Sequence, residues 1–184
     1  MAVQKQRVTL EEFEHFIAQP ENADRLFELI NGEIVEKMPT EPHGIIAGNI
    51  FAPLWNFVHQ HKLGRAVIEV RHRVPTDEQN DLIPDLSFTS NERALPVVAR
   101  GAVPQMPDLV VEIKSPDDSY LGMREKALYY LKNGSRMVIL AFPNKHQLEI
   151  HTEESVMTLG MDDMLDGGDV LPGFLLPVRE IFTF

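Results

Sequence analysis

The stretch from residue 107 to residue 142 constrains the fold more than any other part of the chain. In order it holds an apolar segment, LVVEIK, a helical pattern that ends at a glycine, SYLGMREKALYYLKNG, and a second apolar segment, RMVILAF. Segments this apolar are typical of strands at the centre of a sheet that is covered on both faces. A strand, a helix and a strand in that order predict a right-handed crossover between parallel strands. We therefore expect an α/β fold.

Shorter patterns predict the elements on either side of this unit. Thr9 and Glu12 form a capping-box pattern in front of a short amphipathic helix. Asn31-Gly32, between two apolar runs, predicts a two-residue hairpin turn. Further alternating and helical patterns predict strands 26–30 and 33–37, a core helix over 44–62, a strand over 66–74, an extended segment over 81–88, an irregular loop over 90–106, and strands or edge segments toward the carboxyl end.

Length and composition set the broad class of the protein. A chain of 184 residues, 43% of them hydrophobic, is the size of one domain, so we expect residues 1–184 to form a single unit. With no cysteine, any metal must bind to carboxylates, histidines or backbone oxygens. The sequence has no signal-peptide pattern and no apolar run of membrane-spanning length, which predicts a cytoplasmic protein without a membrane segment.

The net charge of −11 argues against a dedicated nucleic-acid binder, because lysine and arginine supply most non-specific affinity for phosphate. The charge is unevenly distributed, however. Residues 61–136 carry eleven of the seventeen basic side chains and an equal number of acidic ones. They are expected to present either a local basic surface or an ordinary mixed solvated surface. The basic residues singled out there are Arg65, Arg71, Arg73, Arg124, Lys126 and Arg136.

A carboxylate and an ammonium group alternate onto one face of the strand LVVEIK. Side chains two residues apart share a face of a strand, so Glu112 and Lys114 stand side by side. A lone pair of this kind is commonly an ion pair on a half-exposed strand. Two Pro-Asp pairs in the surrounding sequence, ending at Asp85 and at Asp108, make a reaction centre the more economical interpretation.

The coordination of a divalent ion distinguishes between Asp85 and Asp108 as the second carboxylate of the site. Mg²⁺ binds oxygen ligands and usually keeps several waters, so two carboxylates must converge on it. Asp108 precedes Glu112 by four residues on one strand, about 13 Å away, and is expected to be a strand-entry residue. Asp85 lies on another extended segment and can converge. We expect Asp85, Glu112 and the backbone carbonyl of Ile113 to hold Mg²⁺ or Mn²⁺, with Lys114 assisting the attacking water.

Five segments together resemble the bacterial endonucleases of the Uma family, in the PD-(D/E)XK or restriction-endonuclease-like superfamily. The resemblance runs over nearly the whole chain and implies a mixed sheet with flanking helices and an N-terminal β-hairpin. It also implies a metal-dependent endonuclease acting on nucleic acid, with DNA as the expected substrate, and gives Asp85, Glu112 and Lys114 the catalytic roles. The segments are FELINGEIVEKMPTEPHG (27–44), PDLSF (84–88), PDLVVEIKSPDDS (107–119), KALYYLKNGSR (126–136) and LPGFLLPV (171–178).

Three further residues fall at positions of interest. The resemblance makes Glu28 a candidate third ligand of the metal or water, where the alternative is a surface carboxylate on the hairpin. His43 is expected to cap the core helix or line the cleft, and is also a possible participant. Lys126 is expected to be a solvated helix lysine or, alternatively, a contact to phosphate.

Other functional classes have less support. The pair His59 and His61 does not share a helix face, and no H-E-x-x-H motif accompanies it, which disfavours a zinc hydrolase. No phosphate-binding loop or dinucleotide motif is present, so no nucleotide cofactor is expected. The main alternative is a catalytically inactive protein of the nuclease fold that binds DNA or protein. Apolar segments near the carboxyl end make a homodimer the expected assembly.

Overall fold

The fold is a mixed α/β arrangement built on one six-stranded sheet, seen in a computed structural model that describes residues 7–184. Its elements in chain order are α1 (Leu10–Ile17), β1 (Phe27–Ile30), β2 (Glu33–Glu36), α2 (Glu41–His61), β3 (Gly64–Ile68), β4 (Leu86–Ser90), β5 (Leu109–Ile113), α3 (Tyr120–Lys132), β6 (Met137–Phe142), β7 (Gln147–His151), β8 (Val156–Leu159), β9 (Met164–Asp166), β10 (Leu175–Pro177) and α4 (Val178–Ile181). Two short 3₁₀ turns lie at Pro20–Asn22 and Pro143–Lys145.

The sheet has the strand order β3-β4-β5-β6-β7-β8. Only β5 and β6 pair in parallel, and α3 makes the crossover between them, as the strand-helix-strand pattern predicts. The other neighbours are antiparallel; short turns connect β6 to β7 and β7 to β8, whereas longer segments join β3 to β4 and β4 to β5. The predicted mixed sheet with flanking helices and an N-terminal strand pair is therefore confirmed.

Alternation along the central strands divides the core into two layers. Val111 and Ile113 of β5 point into a cluster with α2, whose buried residues Ile46, Ile50 and Leu54 recur every four positions. Val110 points to the other face, into a cluster with α3. Glu112 shares the face of Val110, so its carboxylate is directed to the α3 side of the sheet.

The N-terminal hairpin is attached to the sheet through the segment before β4. Asn31 and Gly32 adopt φ values of 51° and 76°, the left-handed conformations that a two-residue hairpin turn requires. Leu29 and Asp81 exchange backbone hydrogen bonds of 2.9 Å in both directions. β1 and β2 thus extend beside residues 79–85 and face α3 across an opening.

One predicted strand is shorter than the sequence pattern indicated. Alternation predicted a strand over 66–74, but β3 ends at Ile68, because Glu69 adopts a left-handed φ of 50°. His72 then makes only isolated bridges, to Leu82 and Val103. The interruption lets residues 69–85 leave the sheet edge, and Asp85 re-enters it directly in front of β4.

Candidate active site

A cleft of about 950 Å³ opens between the β1–β2 hairpin and α3. Residues from five regions of the chain line it, which explains why no local motif describes the site. The ionisable side chains that line it while largely buried are Glu28, Lys37, His43, Asp85, Glu112 and Lys126.

Asp85 and Glu112 face each other across two neighbouring strands. β4 and β5 are antiparallel with Leu86 opposite Val111, and Asp85 and Glu112 are the residues that directly adjoin this last pair, both lining the cleft. The peptide N–H of Ile113 donates a 2.7 Å hydrogen bond to Oδ2 of Asp85, which fixes this carboxylate beside the end of β5. The structure therefore brings these two predicted acids together.

Asp85 is almost fully buried and is held as a carboxylate by its neighbours. Nζ of Lys37 lies 2.5 Å from Oδ1, and Nε2 of His43 lies 3.1 Å from Oδ2. Burial alone would raise the pKa of Asp85, but the hydrogen bond from His43 and the charge of Lys37 outweigh it and hold the pKa well below its usual range. Asp85 is thus negatively charged throughout the neutral range.

The pKa of Glu112 is shifted in the opposite direction to that of Asp85. Its Oε1 accepts a 2.8 Å hydrogen bond from the hydroxyl of Tyr130 and lies 2.8 Å from Nζ of Lys126. Burial, reinforced by the nearby charges of Asp85 and Glu28, raises the pKa of Glu112 to about 7, even though Lys126 opposes the shift. Additional positive charge at this position would stabilise its carboxylate form.

Lys126 connects Glu112 to Glu28. Its Nζ lies 2.8 Å and 3.0 Å from the two oxygens of Glu28, and that carboxylate also accepts a 2.6 Å hydrogen bond from the N–H of Ile83. Burial lowers the pKa of Lys126, but the two carboxylates more than compensate and raise it well above its usual value. Lys126 is neither exposed nor solvated, and it remains an ammonium group.

The sequence held a signal for the burial of Lys126. Met123, Ala127 and Tyr130 are the buried residues of α3. Lys126 lies three residues after Met123 and four before Tyr130, which places it on the same helical face. Glu28 is likewise buried in the cleft, rather than exposed on the hairpin.

Lys37 is a site residue that the sequence analysis missed. It follows β2 directly, and its Nζ donates to the carbonyl of Ile83 at 2.7 Å as well as to Asp85. Val35, two positions earlier, also lines the cleft, so period-two alternation places both side chains on that side of the hairpin. A single lysine at a strand end gave no reason to expect burial.

Lys114 is not brought to the two acids. β5 ends at Ile113, and Nζ of Lys114 donates to the carbonyl of Ser115 at 2.9 Å. It also lies 5.3 Å from the ring centroid of Tyr120. The ammonium group of Lys114 thus contacts a backbone carbonyl after β5, although the backbone N–H of Lys114 still donates a 2.9 Å hydrogen bond to the carbonyl of Ala141 on β6. The expected role of Lys114 beside Glu112 stays a prediction.

The six basic side chains singled out within residues 61–136 are each bound by a carboxylate or a backbone carbonyl. Arg71 binds buried Asp81 through two hydrogen bonds, and Arg124 is bound in the same way by Glu149. The other four singled out from the sequence also contact carboxylates or backbone carbonyls: Arg65 (Leu95 carbonyl), Arg73 (Glu14), Lys126 (Glu28 and Glu112) and Arg136 (Asp108 and the Asp169 carbonyl).

Asp108 lies apart from the two facing acids. It is fully buried directly in front of β5, where it accepts hydrogen bonds from the N–H of Ser90 and from Arg93. These bonds lie at the start of β5, whereas Glu112 lies near its end, in keeping with the expected strand-entry role of Asp108.

The donor atoms of the cleft fit a hard divalent ion. Asp85 and Glu112 offer carboxylate oxygens, which are the ligands that such an ion prefers. Lys37 and Lys126 balance the negative charge of these carboxylates, a charge that a bound ion could also neutralise. Within residues 7–184, no three His, Asp or Glu side chains converge closely enough to hold an ion unaided. Bound Mg²⁺ would therefore keep water in its remaining positions, as it commonly does.

A solved structure shares this fold. The crystal structure of "a putative nuclease belonging to DUF820" from Anabaena variabilis is 24% identical, with 95% of this chain and 97% of that chain covered and a TM-score of 0.80. A cryo-electron microscopy structure of a "DrdV-DNA complex" matches at 13% identity over 76% of this chain and 14% of that chain. Its TM-score of 0.38 is too low to indicate a shared fold.

Sequence comparison assigns the family. No curated protein matches the chain. Within residues 7–184, no helix has both the length and the apolar character needed to cross a membrane. The family model Uma2, described as "Putative restriction endonuclease", matches residues 10–179, which is nearly the whole chain. The chain therefore belongs to the Uma2 family.

Proposed function

We propose that the protein is a metal-dependent endonuclease that hydrolyses phosphodiester bonds in DNA. The observation that carries the proposal is the facing pair Asp85 and Glu112, buried in one cleft beside the ammonium group of Lys126. A restriction endonuclease cuts DNA, so the family description supports this substrate. Cutting both strands takes two such centres, so the proposal includes a homodimer acting in the cytoplasm.

Asp85 and Glu112 are the proposed ligands of Mg²⁺ or Mn²⁺, together with the carbonyl oxygen of Ile113. When bound, the ion would polarise the phosphate and lower the pKa of an attacking water. The N–H of Ile113 and the ring of His43 hold Asp85 in place, and Tyr130 does the same for Glu112.

Lys126 is the lysine that we propose for the reaction. Because its pKa is raised, it stays protonated and is unsuited to act as a general base. Its role is to stabilise negative charge that develops on the phosphate, or to orient the water. Glu28 positions this ammonium group by binding it through both carboxylate oxygens. Lys114 would take part only if it left its contact with the Ser115 carbonyl.

The charge of the cleft favours a second candidate. The acids that line it outnumber the lysines, and three of these acids form no salt bridge within residues 7–184: Asp117, Asp118 and Glu125. Such a cleft repels phosphate unless cations accompany the substrate. The alternative is thus a catalytically inactive member of the fold that binds a protein or DNA.

Cleavage of supercoiled plasmid and of labelled single strands separates the two candidates. With Mg²⁺ or Mn²⁺ we expect wild-type cutting that a chelator abolishes. Asp85→Ala should remove it, and Lys126→Met should slow it by about 10²-fold or more. The matched control Lys114→Met should cut close to the wild-type rate. No metal-dependent cutting by the wild type would favour the binding module, and equal loss in both lysine variants would contradict the role assigned to Lys126.

A further inference from the structure

Lys37 is a buried cation that the proposed reaction does not require. Its side chain is 13% exposed, and two oxygens hold its Nζ: Oδ1 of Asp85 at 2.5 Å and the carbonyl of Ile83 at 2.7 Å. A lysine this buried loses most of its hydration and needs such partners. Lys37 and Asp85 therefore form a largely buried ion pair within the cleft.

The contact occupies the oxygen of Asp85 that an ion would need. Oδ2 already accepts the 2.7 Å hydrogen bond from the N–H of Ile113 and lies 3.1 Å from Nε2 of His43. Oδ1 is the less occupied oxygen, and within residues 7–184 its one bound partner is Lys37. A divalent ion and an ammonium group repel each other at this range, so both cannot be bound closely to Oδ1.

We propose that Lys37 is a built-in counter-ion of Asp85 that occupies the place of the divalent ion and leaves Oδ1 when the ion binds. This inference rests on the metal site proposed at Asp85 and Glu112. Lys37 directly follows β2 and lines the cleft, so its displaced ammonium group remains within the cleft. There it can form an ion pair with the phosphate of a substrate.

The arrangement of charges explains why an ion-free site needs this lysine. Three buried carboxylates line the cleft, and Lys126 already contacts two of them, Glu28 and Glu112. Asp85 is then balanced by Lys37 and, where protonated, by His43. Without Lys37 the ion-free fold would contain a poorly compensated buried anion, which is costly. The same contact must weaken the binding of the divalent ion, because displacing Lys37 opposes it.

Calorimetric titration of the full chain with Mn²⁺ tests the competition. Lys37→Met keeps the length of the side chain but removes the charge, and we expect it to bind Mn²⁺ roughly tenfold more tightly than the wild type, or better. Lys132→Met is the matched control, because Lys132 lines the same cleft, is exposed and makes no salt bridge within residues 7–184. It should bind like the wild type, and Asp85→Ala should not bind. Equal affinities in the two lysine variants would overturn the inference.

A second measurement uses the wild type alone, in case Lys37→Met does not fold. Lysine acylation followed by mass spectrometry reports whether each ammonium group is accessible. We expect Lys37 to be protected in chelator and to react several-fold faster at saturating Mn²⁺, relative to exposed Lys132. Unchanged protection of Lys37 while Mn²⁺ is bound would refute displacement.

The two proposals fail in different ways. Binding of Mn²⁺ that depends on Asp85 but not on Lys37 would leave the metal site intact and remove only the competition. If neither the wild type nor Lys37→Met binds Mn²⁺, the metal site itself is lost, and the inference about Lys37 with it. Binding by Lys37→Met alone would support both.

Discussion

Replacing Lys126 with methionine should destabilise the ion-free protein, and the loss should depend on pH. Lys126 is the common partner of Glu28 and Glu112, with its Nζ 2.8 Å from an oxygen of each. Methionine fills similar space without charge, so the substitution leaves two buried carboxylates without their main cation. Removing one member of a buried ion pair typically costs about 3–5 kcal/mol.

The sign of the pH dependence follows from Glu112. Burial raises its pKa to about 7 from an ordinary value of 4.5, so this group lowers the stability of the fold as the pH rises from 4.5 through 7. Loss of Lys126 raises that pKa further. At pH 5 the carboxyl group is already protonated, and we expect a loss of about 1 kcal/mol. At pH 8 the variant must keep Glu112 protonated one unit above the wild-type pKa of about 7, which adds about 1 kcal/mol, so we expect a loss of about 2 kcal/mol.

Urea unfolding in chelator, at pH 5 and pH 8, measures both losses. Lys132→Met is the control, because it removes an exposed lysine from the same helix and should change the free energy of unfolding by less than about 0.5 kcal/mol. In thermal scans the shift of Tm caused by the substitution should be larger at pH 8 than at pH 5 by about 2–4 °C, the change that about 1 kcal/mol produces in a domain of this size. A loss that is the same at both pH values, or no larger than that of the control, would refute the ion network as described.

Two further substitutions test the supports of the site. Tyr130→Phe removes the hydroxyl that donates to Glu112 and should cost about 1.5 kcal/mol in urea unfolding, whereas a neutral effect would contradict this hydrogen bond. Arg71→Met removes the guanidinium that donates two hydrogen bonds to fully buried Asp81. It should lower the free energy of unfolding by about 3 kcal/mol. A cost for Arg71→Met below about 1 kcal/mol would show that Asp81 is compensated in another way.

Local patterns predicted most elements of the fold, because the residues concerned determine their own conformation. The capping box at Thr9 and Glu12 is present at the start of α1, and Asn31-Gly32 forms the hairpin turn. The apolar strands around α3 pair in parallel, as the crossover rule requires. The end of β3 escaped prediction, because the left-handed Glu69 has no residue-type signature, unlike a glycine.

The candidate site was predictable only in part, for reasons that lie in the geometry of the strands. Asp85 could be preferred over Asp108 from strand rise alone, and in the structure Asp85 and Glu112 line the same cleft whereas Asp108 does not. Strand alternation placed Lys114 on the face of Glu112 but could not show where its long side chain turns, and its Nζ contacts the carbonyl of Ser115. A helix lysine, Lys126, contacts Glu112.

The most direct measurement of the central claim is the single-turnover rate of phosphodiester cleavage with Mg²⁺ for the wild type and for Glu112→Gln. The substitution keeps the shape of the side chain and removes the charge that would hold the ion. We expect the rate to fall by about 10³-fold, because the contribution of a catalytic metal is several kcal/mol. Glu125→Gln, an acid of the same cleft on α3, should cleave at the wild-type rate. Undiminished cleavage by Glu112→Gln would contradict the account.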